Sequence, residues 1–304
     1  MSVAVARPAW PLVWWTAIRP KTLGASIGPV LVGVGVAIGE GAFRWPAATS
    51  ALAGGVLLQV LANLVNDLED FRRGADDDRR AGPLRVCAAG WVSPAAMRLA
   101  IAACVGLFLV PAAFLASIGG WVFVAIAATC VLFAFLYTAG PRPLAYLGLG
   151  DPAAFLFFGP VAAAGTYAAQ AGTVTPVAWI ASLMPGFLAT ALIAVNNLRD
   201  REGDAKVGKR TIAVRIGDRL ARLEIIACLA AAAAVPAALA AMASRPGALL
   251  ATAAAFVLAP TARRVLAGER GTGLNACLAA IGKAMFLVGV AFLVGWNLPW
   301  GRGS

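Results

Sequence analysis

The sequence predicts an all-α, polytopic membrane protein. Of its 304 residues, 61% are hydrophobic and 13% charged, against about 25% charged in soluble domains; the mean hydropathy is +0.83. Apolar stretches near the roughly 20 residues that cross a bilayer recur along the whole chain. These stretches are Ala- and Leu-rich without strict alternation, which excludes the strands of a membrane barrel.

The pattern gives about nine transmembrane helices, over 22–39, 47–66, 96–116, 119–138, 151–170, 174–196, 220–242, 246–262 and 274–297. The first follows the basic turn Arg19-Pro20-Lys21-Thr22, and the second ends at Asn66. The fourth closes on Tyr137-Thr138-Ala139-Gly140-Pro141-Arg142-Pro143, where Pro and Gly dictate a turn. Asp151 opens the fifth after Gly148-Leu149-Gly150, and the sixth ends at Asn196. Gly33, Gly35, Gly54, Gly55, Pro111 and Pro236 fall inside spans, where they are tolerated and let helices approach closely.

Loop charge sets orientation. Arg44, Arg245 and Arg302 are the only basic loop residues on one side; the others fall on the side of the amino terminus, with every acidic residue except Glu40. The positive-inside rule makes that side cytoplasmic and predicts a multi-pass protein of the inner (plasma) membrane. Met1–Trp15 is short and Pro-broken and runs into Arg19-Pro20-Lys21, which does not read as a cleavable signal peptide.

Composition also narrows the chemistry. There is no His, which removes imidazole acid-base catalysis and His metal ligation. Cys87, Cys104, Cys130, Cys228 and Cys277 are scattered without CxxC spacing, so neither a zinc site nor a redox pair is expected. The net charge of +11 comes from residues flanking spans and gives no nucleic-acid signal.

Two polar runs stand out, near 63–78 and 196–211. They contain nine of the fourteen acidic residues: Asp67, Glu69, Asp70, Asp76, Asp77, Asp78, Asp200, Glu202 and Asp204. Carboxylates at this density repel one another unless cations answer them. Asn196, Asp200 and Asp204 are spaced four apart and share one helical face, as do Asn66 and Asp70; Gly74 is expected to break the first helix, placing Asp76 in a turn. Two such faces opposed across a bundle form an oxygen-only cage suited to Mg²⁺. Arg72, Arg73, Lys209 and Arg210 interleave with the acids, so the pattern points to a metal bridging a polyanion, most simply a diphosphate. The plainer reading is of solvated interfacial anchors; two Asn-x-x-x-Asp copies on one side weigh against it. Four spans separate the copies, which fits a parallel internal repeat plus one extra helix within a single transmembrane domain, 1–304.

Lesser signals share this face. Arg19 and Lys21 read either as anchors or as ligands, Tyr137 as an interfacial aromatic or a site residue, and Asp151 as a helix cap or a site residue.

The motifs Asn66-Asp67-x-x-Asp70-x-x-x-Gly74-x-Asp76 and Asn197-x-x-Asp200-x-x-x-Asp204-x-x-x-Gly208-Lys209-Arg210-Thr211 resemble those of the UbiA-type intramembrane prenyltransferases. The resemblance is closest to the branch acting on 1,4-dihydroxy-2-naphthoate in menaquinone synthesis. Gly82-Pro83-Leu84-Arg85, Phe157-Phe158-Gly159-Pro160-Val161 and Leu274-Asn275 support it, and it spans about residues 10–295. Leu68 and Ala88 depart from the family's usual Tyr and Gln.

The resemblance implies a helical bundle with a central cavity open to the cytoplasmic side. It implies an enzyme that moves a polyprenyl group from a polyprenyl diphosphate to an aromatic acceptor with Mg²⁺. Asp70 with Asp76, and Asp200 with Asp204, would each hold an ion, assisted by Asn66, Asp67, Asn196 and Asn197. Arg72, Arg142, Lys209 and Arg210 would bind the diphosphate, and Arg19, Lys21, Tyr137 and Asp151 the acceptor. Two alternatives stay open: the same chemistry on another aromatic or lipid acceptor, and a cation-coupled transporter. Acids clustered in cytoplasmic loops rather than at the midplane disfavour the transporter.

Overall fold

The computed structural model describes residues 7–73, 85–140 and 143–299. Among the described residues every regular element is helical. Eight helical units are long and apolar enough to cross a membrane, and a ninth apolar helix, Trp121–Leu136, is 16 residues long. The first unit comprises α1 (Trp10–Ile18) and α2 (Leu23–Gly39). Next come α3 (Trp45–Arg72), α4 (Pro94–Gly119) and α5 (Trp121–Leu136). The fifth unit is composite: α6 (Gly150–Leu156), a π-helical segment Phe157–Ala164, and α7 (Gly165–Ala171). Then follow α8 (Pro176–Lys206), α9 (Ile212–Met242), α10 (Leu249–Ala255) with α11 (Ala259–Leu266), and α12 (Leu274–Asn297).

Local chemistry sets the boundaries. Ser93, Thr175 and Thr211 accept hydrogen bonds from the amides of Ala96, Ala178 and Val214, satisfying donors that each new helix leaves open. Pro94 and Pro176 occupy first-turn positions where no amide is needed. α1 ends at Arg19, which is left-handed (φ 56) immediately before Pro20; a residue preceding proline is driven out of the helical region. This split is absent from the sequence-level reading. Trp10, Leu12 and Trp15 are exposed on α1 while Val13 and Ala17 are buried, the pattern of an interfacial helix.

α2 and α12 pack at glycine distance. A Cβ on Gly289 would lie 2.6 Å from the Gly28 carbonyl, and one on Gly28 would collide with the Met285 carbonyl. The small residues therefore make the contact possible. The π-helical segment contains Pro160, which removes one amide from the ladder.

Two apolar cores result. One is built from α2 and the helices from α6 onward, the other from α1, α3, α4 and residues 86–92. Between them lies a cavity of 320 Å³ lined by α2 through α8.

Two helices run past their apolar stretches. α3 has 28 residues and α8 has 31, so the polar runs sit largely on terminal helical turns rather than in loops. Residues 74–84 and 141–142, which carry the expected break at Gly74 and the candidates Asp76 and Arg142, lie outside the described residues.

Candidate active site

The cavity runs from the first polar motif into the bundle interior. On α3 its wall runs from Ala51 through Gly54, Gly55, Leu58, Gln59, Ala62 and Asn63 to Asn66, about 22 Å at the helical rise per residue. Phe108, Phe123, Phe133 and Phe157 make the remainder strongly apolar. Asn66, Tyr137 and Gly150 stand at the motif end.

The first motif divides its labour. Asp67 is 1% exposed, and its two oxygens accept the Val86 and Cys87 amides, both at 3.0 Å. This carboxylate tethers the returning chain to α3, with both oxygens engaged by backbone amides. Burial, followed by the neighbouring Asp67 charge, pushes the Cys87 thiol up to about 12. Asp70, one turn on, forms an ion pair with Arg85. Asn66 accepts from the Thr138 hydroxyl. Asn63, which sequence reasoning passed over, donates to the Ile18 carbonyl at 2.8 Å and the Thr22 hydroxyl at 3.0 Å, fixing the Arg19–Thr22 turn against α3. Arg19 lies within that turn, and Lys21 is exposed.

The second motif lies on the last turns of α8. Asn196 and Asp200 both accept from Arg199, and Asp204 pairs with Lys209 at 3.0 Å. Asn197 turns the other way: it is buried and donates to Asp151 at 3.0 Å. Its Nδ2 is thus committed to Asp151. Asp151 is 2% exposed in the first turn of α6 and bridges α6 to α8 through one of its oxygens.

Tyr137 and Tyr146 join the two motifs. Burial raises the Tyr137 hydroxyl pKa, and Asp151, Asp204 and Asp70 add to the shift; carboxylates from both motifs therefore surround one phenol. The Tyr146 ring carries Lys209 Nζ at 5.1 Å and the Arg73 guanidinium at 5.5 Å, cation–π contacts from both runs. Arg73 also donates to the Gly140 carbonyl at 2.5 Å. Arg72, the expected diphosphate ligand, is exposed and pairs with Glu69; Arg73, also exposed, is the neighbour that lies over Tyr146. Arg210 reaches Tyr146 through its backbone amide at 3.0 Å, and the residue itself is exposed. Tyr146 and Arg85 were the missed residues. Tyr146 stands among Leu144, Ala145, Leu147 and Gly148 with no adjacent charge to flag it, and Arg85 is distant in sequence from its partner.

Among the described residues no group of three or more His, Cys, Asp or Glu side chains is gathered closely enough to hold a metal ion. The donor set still fits one in kind: Asn66 lines the cavity, and Asp70 on α3 and Asn196, Asp200 and Asp204 on α8 offer only oxygens, the ligands a hard divalent cation prefers. Asp70, Asp200 and Asp204 each face a basic side chain, as carboxylates in a cation site do when balanced by the chain's own charges.

A family model described as the UbiA prenyltransferase family matches residues 26–290. Over 278 residues the chain is 35% identical to the 1,4-dihydroxy-2-naphthoate octaprenyltransferase of Mycobacterium tuberculosis, spanning 91% of this chain and 94% of that one. It is 37% identical over 217 residues to the Escherichia coli protein of the same name, spanning 69% and 70%. Among solved structures, a UbiA homolog from Archaeoglobus fulgidus bound to DMAPP and Mg²⁺ superimposes with a TM-score of 0.66 at 19% identity, covering 94% of this chain and 99% of that one. This last likeness is one of fold.

Proposed function

The chain belongs to the UbiA prenyltransferase family, and from that premise we propose that it transfers a polyprenyl group from a polyprenyl diphosphate to 1,4-dihydroxy-2-naphthoate, with Mg²⁺ as cofactor. The observation that carries this reading is an apolar cavity whose lining includes Asn66 and Tyr137, with Asp70 and Asp204 from the two motifs both acting on the Tyr137 hydroxyl and one cation from each run lying over the Tyr146 ring. The 1,4-dihydroxy-2-naphthoate relatives support the acceptor.

Asp70, Asp200 and Asp204, with the amide oxygens of Asn66 and Asn196, would hold the metal. When bound, Mg²⁺ supplies positive charge beside a departing diphosphate. Arg73 and Lys209, both over the Tyr146 ring, bring a cation from each motif to one place and would favour the leaving group as its charge develops. The cavity takes the apolar tail and keeps water from the reacting carbon. The donor's C–O bond breaks with its electron pair leaving on diphosphate, and the electron-rich ring forms the new C–C bond. Loss of the acceptor's carboxylate as CO₂ returns that bond's electrons to the ring. No imidazole or covalent nucleophile is required, so a chain without His can run the reaction. The site faces the cytoplasm in this reading, on the strength of the loop charges.

A direct test supplies isotopically labelled geranylgeranyl diphosphate and a panel of aromatic and glycerol-phosphate acceptors to the purified chain. Product with dihydroxynaphthoate supports the assignment. Turnover with another acceptor and none with dihydroxynaphthoate overturns it while leaving prenyl transfer intact.

A further inference from the structure

Arg199 occupies an unusual position for a basic residue in an acidic motif. Neighbours in sequence do not face each other on a helix, yet its side chain folds back onto Asp200. Nε donates to Oδ1 at 2.8 Å and Nη2 to Oδ2 at 2.6 Å. Nη2 also reaches the Asn196 amide oxygen at 2.9 Å. From the other side Nη1 donates to Asn275, at the start of α12, at 2.9 Å. The Arg199 side chain is 5% exposed, against 34% for Asp200. One guanidinium therefore covers the same two oxygen donors, Asn196 and Asp200, that the proposed function assigns to a divalent cation.

We infer that Arg199 is a positioning residue that stands in for the cation and makes metal binding conditional on diphosphate. The inference rests on the metal-dependent reading above. A divalent ion and this guanidinium compete for Asp200, and like charges so close disfavour occupancy of both. A buried guanidinium deprived of its carboxylate needs another anion. Diphosphate supplies one, in the fork-to-oxygen geometry that suits Arg, while Asn275 keeps the side chain anchored throughout. Metal alone then binds weakly, and metal with diphosphate binds well, because the diphosphate relieves Arg199 of its duty on Asp200. The device keeps Asn196 and Asp200 arranged between turnovers without trapping a bare ion.

The test measures Mn²⁺ binding to the full chain in detergent by electron paramagnetic resonance, without diphosphate, and repeats it with geranyl thiolodiphosphate, reading melting temperature. Arg199→Gln is expected to bind Mn²⁺ alone about tenfold tighter than the unaltered chain. It is also expected to gain less from the thiolodiphosphate. A residue with a merely structural role would lower Mn²⁺ affinity when removed, so equal or weaker binding by Arg199→Gln overturns the inference while leaving the metal reading intact. If Arg199→Gln does not fold, Arg199→Lys carries the comparison: it keeps the charge and loses the bidentate fork. Binding about threefold tighter is then expected, and equal or weaker binding overturns the inference. No Mn²⁺ binding by the unaltered chain in either condition overturns the metal reading and this inference with it.

Discussion

The Arg199 guanidinium grips both carboxylate oxygens of Asp200, at 2.8 and 2.6 Å, although the two residues are adjacent in the chain. The pairing shows how the site manages its charge. Asp70 is matched by Arg85 and Asp204 by Lys209 in the same way. Each of the three carboxylates is thus balanced by a cation from the same chain.

Asp67 and Cys87 define a structural tether that can be separated from catalysis. Asp67→Ala leaves the buried Val86 and Cys87 amides unsatisfied, at about 1–3 kcal/mol each, and is expected to lower the melting temperature markedly. Because burial and Asp67 raise the Cys87 pKa to about 12, the thiol stays protonated at pH 8 and is expected to resist maleimide. Asp67→Asn, which removes the nearby negative charge, is expected to speed labelling at the same pH. Labelling kinetics in detergent check both.

Arg72 and Arg73 are neighbours with opposite expected phenotypes. Arg72 is solvent-facing and paired with Glu69, so Arg72→Ala is expected to change stability and rate by less than about 0.5 kcal/mol. Arg73 lies over Tyr146 with Lys209, so Arg73→Ala is expected to raise KM for the prenyl diphosphate about tenfold, the effect of losing one charge-assisted contact. Steady-state kinetics of the two variants, side by side, decide the matter.

Tyr146 acts through its ring. Tyr146→Leu removes the platform under both cations, at about 0.5–1 kcal/mol for each contact, and is expected to raise KM for the diphosphate several-fold. Tyr146→Phe keeps the face and is expected to behave as the unaltered chain. A loss shared by both variants would place the function in the hydroxyl.

The cavity wall sets how much tail is accommodated. Gly54 lines it, and a Cβ there would rest 3.6 Å from the Phe108 ring, an ordinary contact. Gly54→Ala is expected to be mild, whereas Gly54→Leu fills the cavity. Gly54→Leu is expected to depress kcat/KM for geranylgeranyl diphosphate by tenfold or more while sparing dimethylallyl diphosphate. Competition between the two donors gives the ratio directly.

Much of this was legible in the sequence. Apolar length and the absence of alternation gave a helical bundle, and the Asn-x-x-x-Asp spacing placed Asn66 with Asp70, and Asn196 with Asp200 and Asp204, on helical faces. Rotation about a helix axis is harder to read. Asp67 follows Asn66 directly yet points into the protein, and Asn197 likewise turns to Asp151. Which of two consecutive residues meets the site depends on what packs behind the helix. In both cases that partner, Val86 or Asp151, is about 20 or more residues away in sequence. Tyr146 was hidden because aromatics at span ends are common as interfacial anchors. Charge partners such as Asp70 and Arg85 are set by the return of the chain after α3, which no local pattern encodes.

The central claim is that two motifs 130 residues apart in sequence serve one metal-dependent diphosphate site. Mg²⁺-dependent release of diphosphate from geranylgeranyl diphosphate, in the presence of dihydroxynaphthoate, tests it most directly in Asp70→Asn and Asp200→Asn. Each variant is expected to retain its fold by melting temperature and to lose at least about 10²-fold in kcat, the scale of removing one group that stabilises developing charge. Full Mg²⁺-dependent release by either variant would contradict a shared site.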